Sequence, residues 1–221
     1  MGIAELNDTT GTLTISANLY FYGTAANEEL SFQIGEDINE HWNIPDGYAA
    51  IEGRRYKVVF DVKGLYASHL TQSDVNANDD PKNNYFRIED YAAGNISFVD
   101  GIGSNTGYFL LENLINNSTT AAHEFGHTLG LVHPHVLDIR GQGVPGIMYP
   151  RGTITDAEFH YDPDAQPGAK GGTMNPFHRK VLQSDIDDLH LEKLRFNEDG
   201  RAIIGEFTSE WHYRHVAGND A

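Results

Sequence analysis

The chain has no cysteine. Disulfides, thiolate zinc ligands and a cysteine nucleophile are therefore all excluded. The absence leaves the compartment open, because exported proteins can lack cysteine too. Long hydrophobic runs are also missing: no stretch approaches the ~20 apolar residues that a membrane-spanning helix needs. The opening segment, "MGIAELNDTTGTLTIS", has neither the basic start nor the apolar core of a signal peptide. The expectation is a soluble chain, either a whole cytosolic protein or the working end of a longer exported one. Basic residues are scarce, 15 against 32 acidic ones, for a formal net charge of −17. A field of that sign repels nucleic acid and anionic membrane surfaces, so neither is an expected partner. Hard cations are compatible with it, although an acidic surface is usually just a solvated one. With 221 residues, 39% of them apolar, the chain can fill one domain core.

The first half alternates strand and helix signals. In "TLTISANLYF", Leu13, Ile15, Ala17, Leu19 and Phe21 recur with period two, the pattern of a half-buried strand. In "NEELSFQIGEDINEHWN", Leu30, Ile34, Ile38 and Trp42 fall every four residues along one helical stripe, with His41 beside it. "IPDG" supplies turn chemistry after that helix. "RRYKVVFDVKGLYA" is a second strand, with Tyr56, Val58, Phe60 and Val62 on one face. "YFRIED", "NISFVD" and "GYFLLE" read as further short strands. Together they predict a mixed sheet with one packed helix, an α+β arrangement. Asp74, Asn76, Asn78 and Asp80 are spaced like calcium ligands, but Asp79 and Tyr85 stand where a calcium-binding EF-hand loop needs glycine and glutamate. A solvated loop is the expectation there, with Ca2+ the weaker alternative. In the second half, a Gly/Pro/Asp-rich region from about Leu137 to Gly172 precedes a helical run opened by Asn175 and Pro176. The end of the chain reads as a hairpin about Asn197–Gly200.

The chemistry concentrates in "HEFGHTLGLVHPH". His123 and His127 are four apart, so on a helix both imidazoles reach one ion. Glu124, next to the first, can address a water at that ion. Gly130 can take a positive φ and turn the chain back, which brings His133 in as a third ligand. Three protein ligands with one open position are what a catalytic zinc requires. The complete spacing H-E-x-x-H-x-x-G-x-x-H is far more specific than H-E-x-x-H alone. His135 competes with His133, but Pro134 intervenes and the spacing favours His133. His160, His178 and His190 lack partners at ligand spacing and read as surface residues, and His212 and His215 read as tail residues.

This motif, followed by "PGIMYPRG", resembles the metzincin clan of zinc peptidases. "HEFGHTLGLVH" with "IMYP" is most similar to the matrixins, the family of the matrix metalloproteinases. The resemblance is tight over residues 119–133 and 146–150 and looser over "VLQSDIDDL". It implies an α+β zincin-like fold: a twisted mixed five-stranded sheet with a packed helix, an active-site helix, a Met-turn and a C-terminal helix. It would place the catalytic domain in residues 1–196, with halves at about 1–133 and 134–196, and a hairpin-like extension at 197–221. It further implies one catalytic Zn2+ on His123, His127 and His133, Glu124 as general base, and Met148 as an apolar floor beneath the histidines. Matrixins carry two adjacent aspartates that brace the Met-turn; this chain has Ser184 and Asp185, so only Asp185 carries over. By the same resemblance, Gly107, Tyr108, Phe109 and Leu110 form the sheet edge along which a peptide lies, and Tyr149 and Pro150 wall the main specificity pocket. Pro150 stands where some metzincins have a zinc-approaching tyrosine, so no such tyrosine is expected. The latency cysteine of matrixin pro-segments is absent, and the segment "PHVLDIRGQGVP" makes the gap before Met148 longer than usual.

The resemblance makes the expected activity a zinc-dependent endopeptidase acting on peptide or protein substrates, as a monomer, secreted or delivered outside the producing cell. One alternative is a peptidase toxin, the end of a large bacterial delivery protein, whose partner would be an inhibitor or immunity protein. Another is an inactive metzincin-like binding module, against which the presence of Glu124 speaks.

Overall fold

In a computed structural model the protein is described over residues 1–115 and 118–216. Its spine is β2 (Thr12–Tyr22), whose alternation buries Leu13, Ile15, Ala17, Leu19 and Phe21 on one face. On one side β2 pairs in parallel with β4 (Arg54–Tyr66), placing Ile15 opposite Phe60. On the other side two strands share it. The first half of β2 pairs antiparallel with β1 (Gly2–Asn7), and its second half pairs in parallel with β5 (Asn83–Glu89). The sheet continues from β5 to β7 (Thr106–Leu110), and β6 (Phe98–Val99) closes that side antiparallel to β7. β3 (Tyr48–Ile51) flanks β4, and β8 (Arg201–Ile204) flanks β1. The result is one mixed sheet of eight strands, where the resemblance implied five. The additional strands include β1 and β8, which find each other across the whole length of the chain; no local pattern announces such pairing.

The parallel β2–β4 pair needs a crossover, and α1 (Glu28–Asn43) is it. Asn27 caps its first turn, accepting from the Leu30 N–H at 2.9 Å, with Glu28 and Glu29 complementing the dipole. The expected stripe faces the sheet: Ile34, Ile38 and Trp42 are buried, whereas Leu30 is only partly so. Trp42 is the link to the rest of the molecule. Its ring meets Phe60 at 4.9 Å and Phe125 at 6.0 Å, and its Nε1–H donates to the Ala122 carbonyl at 3.0 Å. A buried aromatic with its polar atom satisfied both adds apolar stabilisation and fixes orientation. Through it, α1 positions α3 (Thr120–Thr128), the helix that carries the histidine motif.

The opposite face of the sheet is covered by residues 205–216. Trp211 stacks on Tyr22 at 4.6 Å and His215 on Tyr108 at 4.1 Å. Arg214 reaches the buried Glu89 at 3.4 Å, and the Asn105 side-chain oxygen accepts the Thr208 and Ser209 N–H groups, each at 2.9 Å. The expected turn at Asn197–Gly200 forms, with the Gly200 N–H donating to the Asn197 carbonyl at 2.9 Å. The expected hairpin does not: β8 pairs with β1, and no strand follows it among the described residues. Residues 217–221 of that extension lie outside the described residues.

Two further expectations are corrected. The helical run after Asn175 is broken into a short turn at Pro176–His178, α4 (Gln183–Asp188) and another turn at Leu191–Lys193. Arg179 is extended between them, and Lys180 bridges to Gly146. Before β5, the calcium-like segment begins with a five-residue helix, α2 (Gln72–Asn76). The Asp74 carboxylate there accepts the Thr71 N–H and hydroxyl at 2.8 and 2.7 Å, so it serves as a helix cap.

Candidate metal centre and cleft

All nine residues of α3 are buried, so this is no surface helix with incidental histidines. His123 and His127 lie on one face of it, one turn apart. After Leu129, Gly130 takes φ +102°, and the Leu131 N–H returns to the Gly126 carbonyl at 3.0 Å. A side chain would be strained in that conformation. The reversal delivers His133, whose Nε2 lies 3.0 Å from that of His123 and 3.1 Å from that of His127. His133 is the most open of the three.

The ring nitrogens on the far side assign the tautomers. His123 Nδ1 sits 2.7 Å from the Ile147 carbonyl, and His127 Nδ1 sits 2.8 Å from the Leu131 carbonyl. A carbonyl only accepts, so both Nδ1 atoms carry hydrogen and both Nε2 atoms present lone pairs. Burial pushes the pKa of His123 well below its ordinary value, Arg179 adding to the effect; burial also lowers His127 and His133. The cluster is therefore neutral at pH 7, and a single shared hydrogen could satisfy only some of three converging nitrogens. A cation accepts from all three, so the donor set fits a metal ion of the kind that imidazole prefers. Among the described residues this is the one group of three or more His, Cys, Asp or Glu side chains able to hold one.

Glu124 is buried beside this cluster, at the wall of a cleft of about 230 Å³. The Val99 N–H of β6 donates to its carboxyl group. Burial pushes its pKa up to about 8, against the opposing pull of Arg179. Arg179 was not singled out from the sequence. It is only 4% exposed and lines the same cleft. Its Nε donates to Thr119 Oγ1 at 3.0 Å and its Nη1 to the Tyr149 carbonyl at 3.1 Å. Nη1 also approaches His123 Nδ1 at 3.0 Å. Because that nitrogen carries a hydrogen, the approach brings two donors together and is not a hydrogen bond.

Below α3 the chain makes a tight turn, closed by the Tyr149 N–H on the Gly146 carbonyl at 3.3 Å. Met148, buried in that turn, packs against Gly126, where any Cβ would collide with its sulfur. Asp185, buried on α4, braces the turn: it accepts from the backbone N–H groups of Leu182 at 2.7 Å and of Ile147 and Met148. Burial raises its pKa to about 6.

No protein-family model matches this chain, and no curated protein sequence matches it. Among solved structures it is similar to the crystal structure of archaemetzincin from Methanopyrus kandleri. The identity is 11% and the TM-score 0.42, over 80% of this chain and 95% of that one.

The structure gathers His123, His127 and His133 at one point and places Glu124, Gly130, Met148 and Asp185 around them. The expected sheet edge is not where the resemblance placed it. Gly107, Tyr108, Phe109 and Leu110 are buried in β7, which is paired with β5 on one side and β6 on the other. Among the described residues the free edge is β6, one strand further out, and it is the strand that contacts Glu124. It lies in "NISFVD", which the sequence marks as a strand, but nothing in that stretch marks it as the edge. Of the expected pocket wall, Pro150 lines the cleft, while Tyr149 contributes its carbonyl to Arg179 and its ring feels Asp185 and Asp188. The segment before Met148 folds back on the loop after it, with the Ile139 N–H on the Ile154 carbonyl at 2.8 Å. His135 is exposed. His160 is not the surface residue expected: it is buried, with Nε2 at 3.0 Å from the Thr155 carbonyl. His212 and His215 belong to the tail that supports β6 from behind, His212 lying 2.9 Å from Asp100.

Proposed function

We propose that the protein is a zinc-dependent endopeptidase with Glu124 as general base. The observation that carries this is the convergence of three imidazole Nε2 atoms beside a buried carboxyl group at one open cleft. His123, His127 and His133 would hold the ion, the first two with their rings oriented by carbonyl partners. Zn2+ held there supplies Lewis acidity toward water and the scissile carbonyl, and its charge favours the ionised form of Glu124. Glu124 then takes the proton of the attacking water and returns it to the leaving amine. The Val99 N–H keeps the carboxyl group aimed into the cleft. A peptide would lie extended along β6, pairing with its free backbone as an added strand. In the metzincin reading, Met148 is the floor of the metal site, held by Asp185. The motif "HEFGHTLGLVH" with "IMYP" favours a matrixin-like member of that clan.

The test is digestion of a peptide library by the wild type and Glu124→Ala, with and without chelator, alongside metal analysis. Expected are about one zinc per chain, cleavage abolished by chelator, and cleavage lowered by a factor of 10²–10⁴ in Glu124→Ala. An active protein free of zinc, or full activity in Glu124→Ala, refutes the proposal.

A further inference from the structure

We infer that the cleft selects a carboxylate on its substrate: Arg179 and Arg151 form a cationic subsite for an acidic side chain next to the scissile bond. The inference rests on the peptidase reading and adds a substrate class to it.

The argument starts from an imbalance. In a chain of net charge −17, carboxylates outnumber cations about two to one. Yet Arg179, almost wholly buried, makes no ion pair with any carboxylate among the described residues. Glu124, on the same cleft, attracts it without a direct bond, and burying a cation with no anion in contact is expensive. Its Nε and Nη1 are used to hold Thr119 and the Tyr149 carbonyl. Those two bonds explain a clamp between α3 and the turn under it. They leave Nη2 without a protein partner among the described residues, on a side chain that lines the cleft.

Arg151 stands on the same wall and is near enough to oppose the charge of Arg179. Its Nη2 donates to the Asn113 side chain at 3.1 Å, and no carboxylate among the described residues pairs with it either. Ser97 and Thr120 add neutral hydroxyls to the lining. Two like charges held in place by neutral acceptors, beside the carboxyl group of Glu124, are a receptor for an anion. The planar guanidinium suits a carboxylate in particular. Occupancy by a substrate carboxylate would offset the desolvation of Arg179 at the moment the peptide is seated.

The test uses peptides matched except for Glu or Gln beside the cleaved bond, each with a free or an amidated C-terminus. Rates are measured for the wild type, Arg151→Gln, Arg179→Lys and Arg179→Gln. Binding of the same peptides to Glu124→Gln is followed by fluorescence anisotropy, which needs no turnover. Expected is a Glu-over-Gln preference of about ten- to a hundredfold, shrinking with added salt. Arg151→Gln, an exposed position that leaves folding intact, should lower it several-fold, and Arg179→Gln should erase it. A preference that follows the free C-terminus instead overturns the assignment to an acidic side chain. Cleavage with no Glu preference, or a preference untouched by Arg151→Gln, overturns the inference and leaves the peptidase reading standing. Selective binding of Glu peptides without any cleavage does the reverse.

Discussion

Replacing Glu124 with Gln should stabilise the metal-free protein at neutral pH while removing the peptidase activity proposed for it. The carboxyl group has an ordinary pKa of 4.5 and is raised to about 8 in the folded protein by burial. Between those values the unfolded chain has released the proton and the folded protein still holds it. The folded state binds more protons, so stability falls as pH rises through this window and is lost fully above the folded pKa. At about 1.36 kcal/mol for each pH unit in which the two states differ, the loss is about 1 kcal/mol at pH 5 and about 3 kcal/mol at pH 7. Above pH 8 it reaches about 5 kcal/mol. Glutamine keeps the shape of the side chain and an acceptor for the Val99 N–H, but has no charge to desolvate. Glu124→Gln should therefore melt about 6–12 °C higher than wild type at pH 7 in chelator. The gap should be no more than about 4 °C at pH 5. Bound zinc should narrow the gap, because a neighbouring dication favours the carboxylate. The assay is thermal unfolding by circular dichroism at pH 5, 7 and 8, with chelator or with zinc. A gap independent of pH, or a variant less stable than wild type at pH 8, refutes the reasoning. A group that destabilises the fold in the form needed for chemistry marks a site kept for function.

His133→Ala should abolish stoichiometric zinc binding while His135→Ala leaves it intact, as read by metal analysis after dialysis; equal loss in both would overturn the ligand set. Gly126→Ala forces a Cβ into the Met148 sulfur and should lower the urea midpoint by an amount equivalent to about 1–3 kcal/mol. An unchanged midpoint would mean that the turn below α3 yields freely. Asp185→Ala strips the acceptor from the Leu182, Ile147 and Met148 N–H groups and should cost roughly 3 kcal/mol and weaken zinc binding. A variant with wild-type melting and zinc affinity would remove Asp185 from its bracing role.

What could be read in advance follows the range over which each interaction acts. β2, β4 and α1 carry their burial in periods of two and four residues, which are local, and all three stand as expected. The three histidines proposed as metal ligands are legible for the same reason: one helical turn and one glycine reversal bring them together within eleven residues. Two failures are local, the Thr71–Asp74 cap and the break at Arg179; those that shape the cleft are long-range. β6 is an edge because of what it pairs with. Arg179 sits in "HRK" like any solvated cation, and only the fold carries it to His123, 56 residues earlier in the chain. Gly126 occupies a free position of the motif, and its need to be glycine appears only once Met148 lies beneath it. The division has a functional meaning. The reacting groups are written as a compact motif, because an ion needs its ligands within about 2 Å of one point. The groups that would choose a substrate are dispersed over β6, the turn after Met148 and the segment before α4. A reading confined to the motif therefore recovers the chemistry and misses the selectivity, and Arg179 is where the two meet.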